Sequence, residues 1–240
     1  MRVFVILPAA GLGTRMSAAS HTSSSTTPAP KQFLTLHGIP ILIHTLRTFA
    51  AITAVEGIHV AVRANEIERV EEQIAHYALP EKIHVVTGGD TRQASVSAAL
   101  RSLPAQEEDI VLVHDAVRPL IDAATIERTI EAVRKHGAAI VGLPAIDTIK
   151  QVERTSEGAL ITATIPRERI VQAQTPQGFR CGLLRRIFQE AETDGFLGTD
   201  EASLAERAGV PVAVVVGSPR NFKITQPGDL ELAEFYLRQK

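Results

Sequence analysis

Several things are scarce in this chain, and each scarcity closes a class of function. One cysteine, Cys181, leaves no internal disulfide and no multi-cysteine metal cage, so the cytoplasm is the expected compartment. There is no excess of either charge: 25 Lys and Arg stand against 27 Asp and Glu, a formal net charge of −2. Such a balance supplies no overall field for nucleic acid or an anionic membrane, so neither is expected as a partner, and any anionic ligand must be caught by locally focused cations. No apolar run approaches the roughly 20 residues of a bilayer span. Val3 to Leu7 is too short for the apolar part of a signal peptide. No segment repeats. With 45% hydrophobic residues over 240 positions, enough surface can be buried for one large domain over residues 1–240.

Short apolar runs occur at Val3 to Leu7, Ile58 to Val62, Ile83 to Val86, Ile110 to Val113, Ala138 to Val141 and Val212 to Val216. They are continuous rather than alternating, which predicts strands covered on both faces. Helical spacing falls between them: Ile67, Val70, Ile74 and Tyr77 share a face behind a capping signature at Asn65 and Glu68. Ile126, Ile130 and Val133 follow Asp122 as a cap, and Leu230 to Leu237 forms a last amphipathic helix. The reading is an α/β fold, a doubly wound, mostly parallel sheet with helices on both faces. Two segments interrupt it. Residues 17–29, with Ser23-Ser24-Ser25-Thr26-Thr27, are small, polar and aperiodic, and are expected to form a flexible insertion. Within 144–172, two strand-like runs flank Ser156-Glu157-Gly158 and predict a protruding β-hairpin arm. Its apolar residues Ile149, Val152, Leu160 and Ile161 have no later element to cover them, which points to a second copy of the chain.

The stretch Pro8-Ala9-Ala10-Gly11-Leu12-Gly13-Thr14-Arg15-Met16 follows the first strand, and its glycines allow a sharp turn and close approach to a ligand. A dinucleotide fingerprint wants a third small residue where Met16 stands, and a Walker loop wants Gly-Lys-Ser/Thr where Thr14-Arg15-Met16 stands. Arg15 and, beyond the insertion, Lys31 in Pro30-Lys31-Gln32-Phe33 suit a triphosphate cradle. Further motifs sit where strands end: Gly88-Gly89-Asp90-Thr91-Arg92-Gln93-Ala94-Ser95 and His114-Asp115-Ala116-Val117-Arg118-Pro119. Asp147-Thr148 and Pro166-Arg167 bracket the hairpin, and Gln174-Thr175-Pro176-Gln177-Gly178-Phe179, Thr199-Asp200-Glu201 and Asn221-Phe222-Lys223-Ile224-Thr225 follow. Taken singly these have plain readings, with Thr148 and Thr175 as turn formers, Arg167 and Lys223 as solvated charges, Asp200 as a helix cap and His114 as a packed histidine.

Together and in this order, from Pro8 to Thr225, the motifs resemble nucleotidyltransferases that join a sugar or polyol phosphate to a nucleoside triphosphate, and among them the 2-C-methyl-D-erythritol 4-phosphate cytidylyltransferase family. The resemblance implies CTP and a polyol phosphate as substrates, Mg²⁺ as the divalent cofactor, and a homodimer with shared active sites. It gives Arg15 and Lys31 to the α-phosphate, and Ala9, Ala10, Gly89, Asp90 and Ser95 to cytidine, with Gly11 and Gly13 in the phosphate loop. Asp115 and Arg118 match the loop that meets the phosphates and, through Asp115 directly or indirectly, the metal. Thr148, Arg167 and Lys223 match the polyol phosphate positions, and Thr175 is grouped with them. Two departures stand out: the insertion before Pro30, and Val117 where alanine is more usual. Three other readings stay open at this point: a ribitol 5-phosphate cytidylyltransferase, a nucleotide-dependent dehydrogenase, and a non-catalytic nucleotide sensor on the same scaffold.

Overall fold

A computed structural model describes residues 1–11, 30–156 and 158–239. Gly13, Arg15 and the insertion at 17–29 therefore lie outside the described residues. The six apolar runs become strands β1 (Val3–Pro8), β4 (Val55–Val62), β5 (Ile83–Thr87), β6 (Ile110–Val113), β7 (Ala138–Pro144) and β11 (Ala213–Val216), with a short β2 (Thr35–Leu36) and β3 (Ile39–Pro40) paired separately. All six run in one direction within a seven-stranded sheet of order β11-β7-β10-β6-β1-β4-β5. The seventh, β10 (Val171–Arg180), is antiparallel to both β6 and β7.

Alternate residues of β1 feed two cores, as the two-residue period of a strand requires. Val3, Val5 and Leu7 meet Leu42, Leu46 and Phe49 of α1 (Ile41–Ala50), Val70 of α2 (Ile67–His76), and Ile126 and Val133 of α4 (Ala123–His136). Phe4 and Ile6 meet Val96 and Leu100 of α3 (Arg92–Ser102), Leu184 and Phe188 of α5 (Cys181–Thr193), and Leu204 of α6 (Glu201–Arg207). Helix α7 (Pro227–Leu237) packs Ala233 on Leu36, Ile41, Leu120 and Ile224. Continuous apolar strands do mark burial on both faces at β1 and β6. At the edge the expectation fails: among the described residues no strand lies outside β11, and Val214 and Val216 are 48% and 60% exposed.

Asp122 caps α4 as expected, its Oδ1 accepting from Thr125 N at 2.6 Å, and Gly137 ends that helix at φ 82°. The cap expected at Asn65 does not form. Asn65 lies inside a 3-10 turn over Ala64–Glu66, and Glu66, at the cap position, turns its side chain to Arg63 instead. The hairpin is present as β8 (Ile149–Thr155) and β9 (Gly158–Ile165), which form a separate two-stranded sheet with Val152 opposite Ile161. Leu160 and Ile161 are each 65% exposed, a large apolar area to leave in water. No helix among the described residues is long and apolar enough to cross a membrane.

Candidate active site

A cleft opens beyond the carboxyl ends of β1, β5 and β6, where ligands of open α/β sheets bind. Its floor is backbone. Ala9 N donates to Ala61 O at 2.7 Å, and Gln32 Nε2 donates to Ala9 O at 2.7 Å, so the start of the Pro8–Gly11 turn is pinned from two sides. Ala10 and Gly11 continue along the lining. On the opposite wall, Gly89 N donates to Ser95 Oγ at 3.2 Å while Ser95 Oγ lies 2.9 Å from Thr91 O, and Thr91 caps α3 by accepting from Ala94 N at 3.0 Å. A Cβ at Gly89 would lie 2.5 Å from the Ala94 Cβ, which explains the glycine. Asp90 lines the same wall.

The third wall carries charge. Asp115, just past β6, is buried with Oδ1 3.2 Å from Arg92 Nε, and with Oδ2 3.3 Å from Arg118 Nε and 3.0 Å from Lys223 Nζ. Burial would raise its pKa, but Lys223, Arg92 and Arg118 outweigh burial and hold the carboxyl well below the usual range. Behind Arg92, the fully buried Glu201 accepts from Nη1 at 2.8 Å and Nη2 at 2.9 Å. Burial and the nearby Asp115 raise the Glu201 pKa against the pull of Arg92. Lys31 faces the cleft with its Nζ donating to Thr225 O at 2.9 Å. Ile224 N, donating to Val117 O at 3.0 Å, ties the Lys223 loop to the Asp115 loop. With three cations against two carboxylates, the group around Asp115 keeps a net charge of about +1 before Lys31 is added, the sign an anionic ligand needs.

His114 is not poised as a base. Its Nε2 donates to Arg118 O at 3.1 Å, which leaves Nδ1 to accept from Thr175 Oγ1 at 3.0 Å, and the ring is fully buried. Burial pushes its pKa down to about 4, so it is neutral at ordinary pH. Thr175 Oγ1 also accepts from Asp115 N at 3.1 Å. Thr175 and Arg118, whose Nη1 donates to Asn221 O at 2.8 Å, thus brace Asp115 from behind and are not part of the cleft lining.

The structure therefore brings Ala9, Ala10, Gly11, Lys31, Gly89, Asp90, Ser95, Asp115 and Lys223 to one cleft. It does not bring Thr148 and Arg167 there. Both are exposed at the base of the arm, where Arg167 Nη1 donates to Ile146 O at 2.6 Å, and neither lines the cleft of its own chain. As a metal ligand Asp115 fits poorly, because both its oxygens already face cations, and the described residues hold no group of three His, Cys, Asp or Glu able to cage an ion. Arg92 and Glu201 were missed as site residues. Arg92 sits in the Gly89 loop at a strand's carboxyl end, a usable signal, whereas Glu201 looks like part of a capping triplet.

Residues 3–239 match the family model described as 2-C-methyl-D-erythritol 4-phosphate cytidylyltransferase. The proteins of that name from Acidobacterium capsulatum and Solibacter usitatus are 71% and 51% identical to the chain, each over all of it and over 99% and 97% of their own lengths. A crystal structure of the Francisella tularensis 2-C-methyl-D-erythritol 4-phosphate cytidylyltransferase superposes with a TM-score of 0.79 at 33% identity, covering 98% of this chain and 99% of that one.

Proposed function

The chain belongs to the 2-C-methyl-D-erythritol 4-phosphate cytidylyltransferase family, and we propose that its cleft works by positioning two anions among fixed cations rather than by acid–base chemistry. The enzyme joins CTP and 2-C-methyl-D-erythritol 4-phosphate to give 4-diphosphocytidyl-2-C-methyl-D-erythritol and pyrophosphate, a step towards isoprenoid precursors outside the mevalonate route. A phosphate oxygen of the polyol attacks the α-phosphorus of CTP, the bond to the pyrophosphate oxygen breaks, and pyrophosphate leaves with the electron pair. A phosphate monoester is already anionic near neutral pH, so no base is needed, in keeping with a neutral, inward-turned His114.

The observation that carries this reading is the group of Lys223, Arg92 and Arg118 around one buried carboxylate at the strand ends, with Lys31 lining the same cleft. In it, Ala9, Ala10, Gly89, Asp90 and Ser95 receive cytidine, Lys31 with Arg15 screens charge on the α-phosphate, and Lys223 takes the polyol phosphate. Thr148 and Arg167 complete the site of a second copy, whose surface covers Leu160 and Ile161 of the arm in a homodimer. A magnesium ion bound to the triphosphate would neutralise part of its charge, and Asp90 and Asp115 are the carboxylates in the cleft lining. The single cysteine suits a cytoplasmic enzyme. Pyrophosphate release is the test. It should require CTP among the nucleoside triphosphates and methylerythritol phosphate rather than ribitol 5-phosphate. Equal turnover with ribitol 5-phosphate would overturn the substrate assignment.

A further inference from the structure

Glu201 opens α6 and is 1% exposed. A carboxylate is seldom enclosed so far unless something specific pairs with it. Here both oxygens are taken by the outer nitrogens of Arg92, whose remaining Nε reaches Asp115 Oδ1, while Asp115 Oδ2 holds Lys223 Nζ. Charge therefore alternates along one line from the core to the mouth of the cleft: Glu201, Arg92, Asp115, Lys223. The helix does not depend on this pair for its place. Asp200 caps it by accepting from Ser203 N at 2.9 Å, and Gln177 on β10 clamps its first turn by donating to Asp200 Oδ2 at 2.8 Å and accepting from Ala202 N at 2.9 Å. A buried ion pair is a poor way to stabilise a fold compared with apolar packing, so its presence next to the site calls for another reason.

We propose that Glu201 is a positioning residue for the cytidylyl transfer: it fixes the plane of the Arg92 guanidinium so that Nε is aimed at Asp115, and Asp115 in turn sets where Lys223 meets the polyol phosphate. The inference rests on the reading of Lys223 as the contact to that phosphate. A bidentate guanidinium–carboxylate pair fixes both distance and plane, which a single contact does not. With the Glu201 charge removed, Arg92 draws Asp115 towards itself, and Lys223 loses the partner that holds it.

Glu201→Gln in the full chain keeps the volume and removes the charge. The kcat/KM for methylerythritol phosphate should fall about 10-fold or more, while KM for CTP stays within about 3-fold. A merely structural pair would lower the melting temperature and the active fraction and leave both KM values unchanged. Adding Glu201→Gln to Arg92→Lys should cost little beyond Arg92→Lys alone, because the two act in series. Multiplying losses, or wild-type kinetics in Glu201→Gln, would overturn the proposal. Should Glu201→Gln fail to fold, Glu201→Asp, which is one methylene too short for the same bidentate grip, is read by the same assays and outcomes. Lys223→Ala separates the two layers. A normal KM for the polyol phosphate in that variant removes the reading of Lys223, whereas a raised KM there beside unaffected Glu201→Gln removes only the role of Glu201.

Discussion

Replacing Asp115 with asparagine is the sharpest single test of the site's electrostatics. The side chain keeps its shape, but Arg92, Arg118 and Lys223, all within 3.3 Å of it, lose their common counter-charge. The group's net charge rises from about +1 to about +2. Removing one member of a buried, hydrogen-bonded ion group costs about 3–5 kcal/mol. For a 240-residue chain, each kcal/mol moves the melting midpoint by about 2–4 °C, so a fall of about 6–20 °C is expected in calorimetry at pH 7. The pH dependence has a definite sign. The folded-state pKa of Asp115 is depressed, so its stabilisation is complete above the unfolded value of about 3.9 and is lost as pH falls from there towards the folded value. The gap between wild type and Asp115→Asn should be constant from pH 5 upward and should narrow below about pH 4. Inorganic phosphate should restore part of the lost midpoint in the variant, since an anion can take the vacated place among the cations. A drop of under about 2 °C at pH 7, or a gap that does not narrow in acid, would refute the assignment of Asp115 as the hub.

Other expectations concern single contacts. Lys31→Ala should lower turnover about 100-fold or more with a smaller effect on CTP affinity, the scale for losing one preorganised electrostatic group, and near-normal turnover would dismiss its role at the α-phosphate. Gly89→Ala would place a Cβ 2.5 Å from that of Ala94, and relieving that overlap costs about 1–3 kcal/mol. Titration calorimetry should find CTP binding weakened by the resulting shift of the loop, and unchanged affinity would show that the loop does not touch the nucleotide. For shared sites, Lys31→Ala and Arg167→Ala chains refolded together in equal amounts should regain about a quarter of normal activity, because half the dimers are mixed and each has one intact site. No recovery, with chain exchange verified by mass, would return Arg167 to the site of its own chain or to none.

Strands were easiest to read where burial was simplest. Val3 to Leu7 and Ile110 to Val113 are apolar throughout because both faces are covered, and the pattern states this without ambiguity. β10 was invisible for the opposite reason. Its buried residues Gln174, Thr175 and Gln177 are polar, and Pro176 argues against a central strand, yet each polar side chain has a specific partner such as Ser218 O, His114 or Asp200. Such partners come from distant parts of the chain, so no local pattern announces them. The same holds for Glu201, which is 109 positions from Arg92. Lys31 and the Gly89 loop were legible because their chemistry is carried by short contiguous motifs. Thr148 and Arg167 are marked only by the family resemblance, and neither lines the cleft of its own chain.

The place of β10 between β6 and β7 sets the order in which the molecule can be put together during synthesis. Residues 1–113 already contain β5, β4, β1 and β6, four neighbouring parallel strands able to close on one another as soon as they emerge. β7 emerges next but has no neighbour waiting: its two partners are β10 and β11, which follow only after the arm has been made. The nascent chain thus carries an unpaired apolar strand for the whole time that the arm is being translated. Lys223, the outermost charge of the group around Asp115, comes later still. A chain released after β6 would hold four strands of the sheet and the Pro8–Gly11 and Gly89–Ser95 walls of the cleft, but neither Asp115 nor Lys223 of its charged wall.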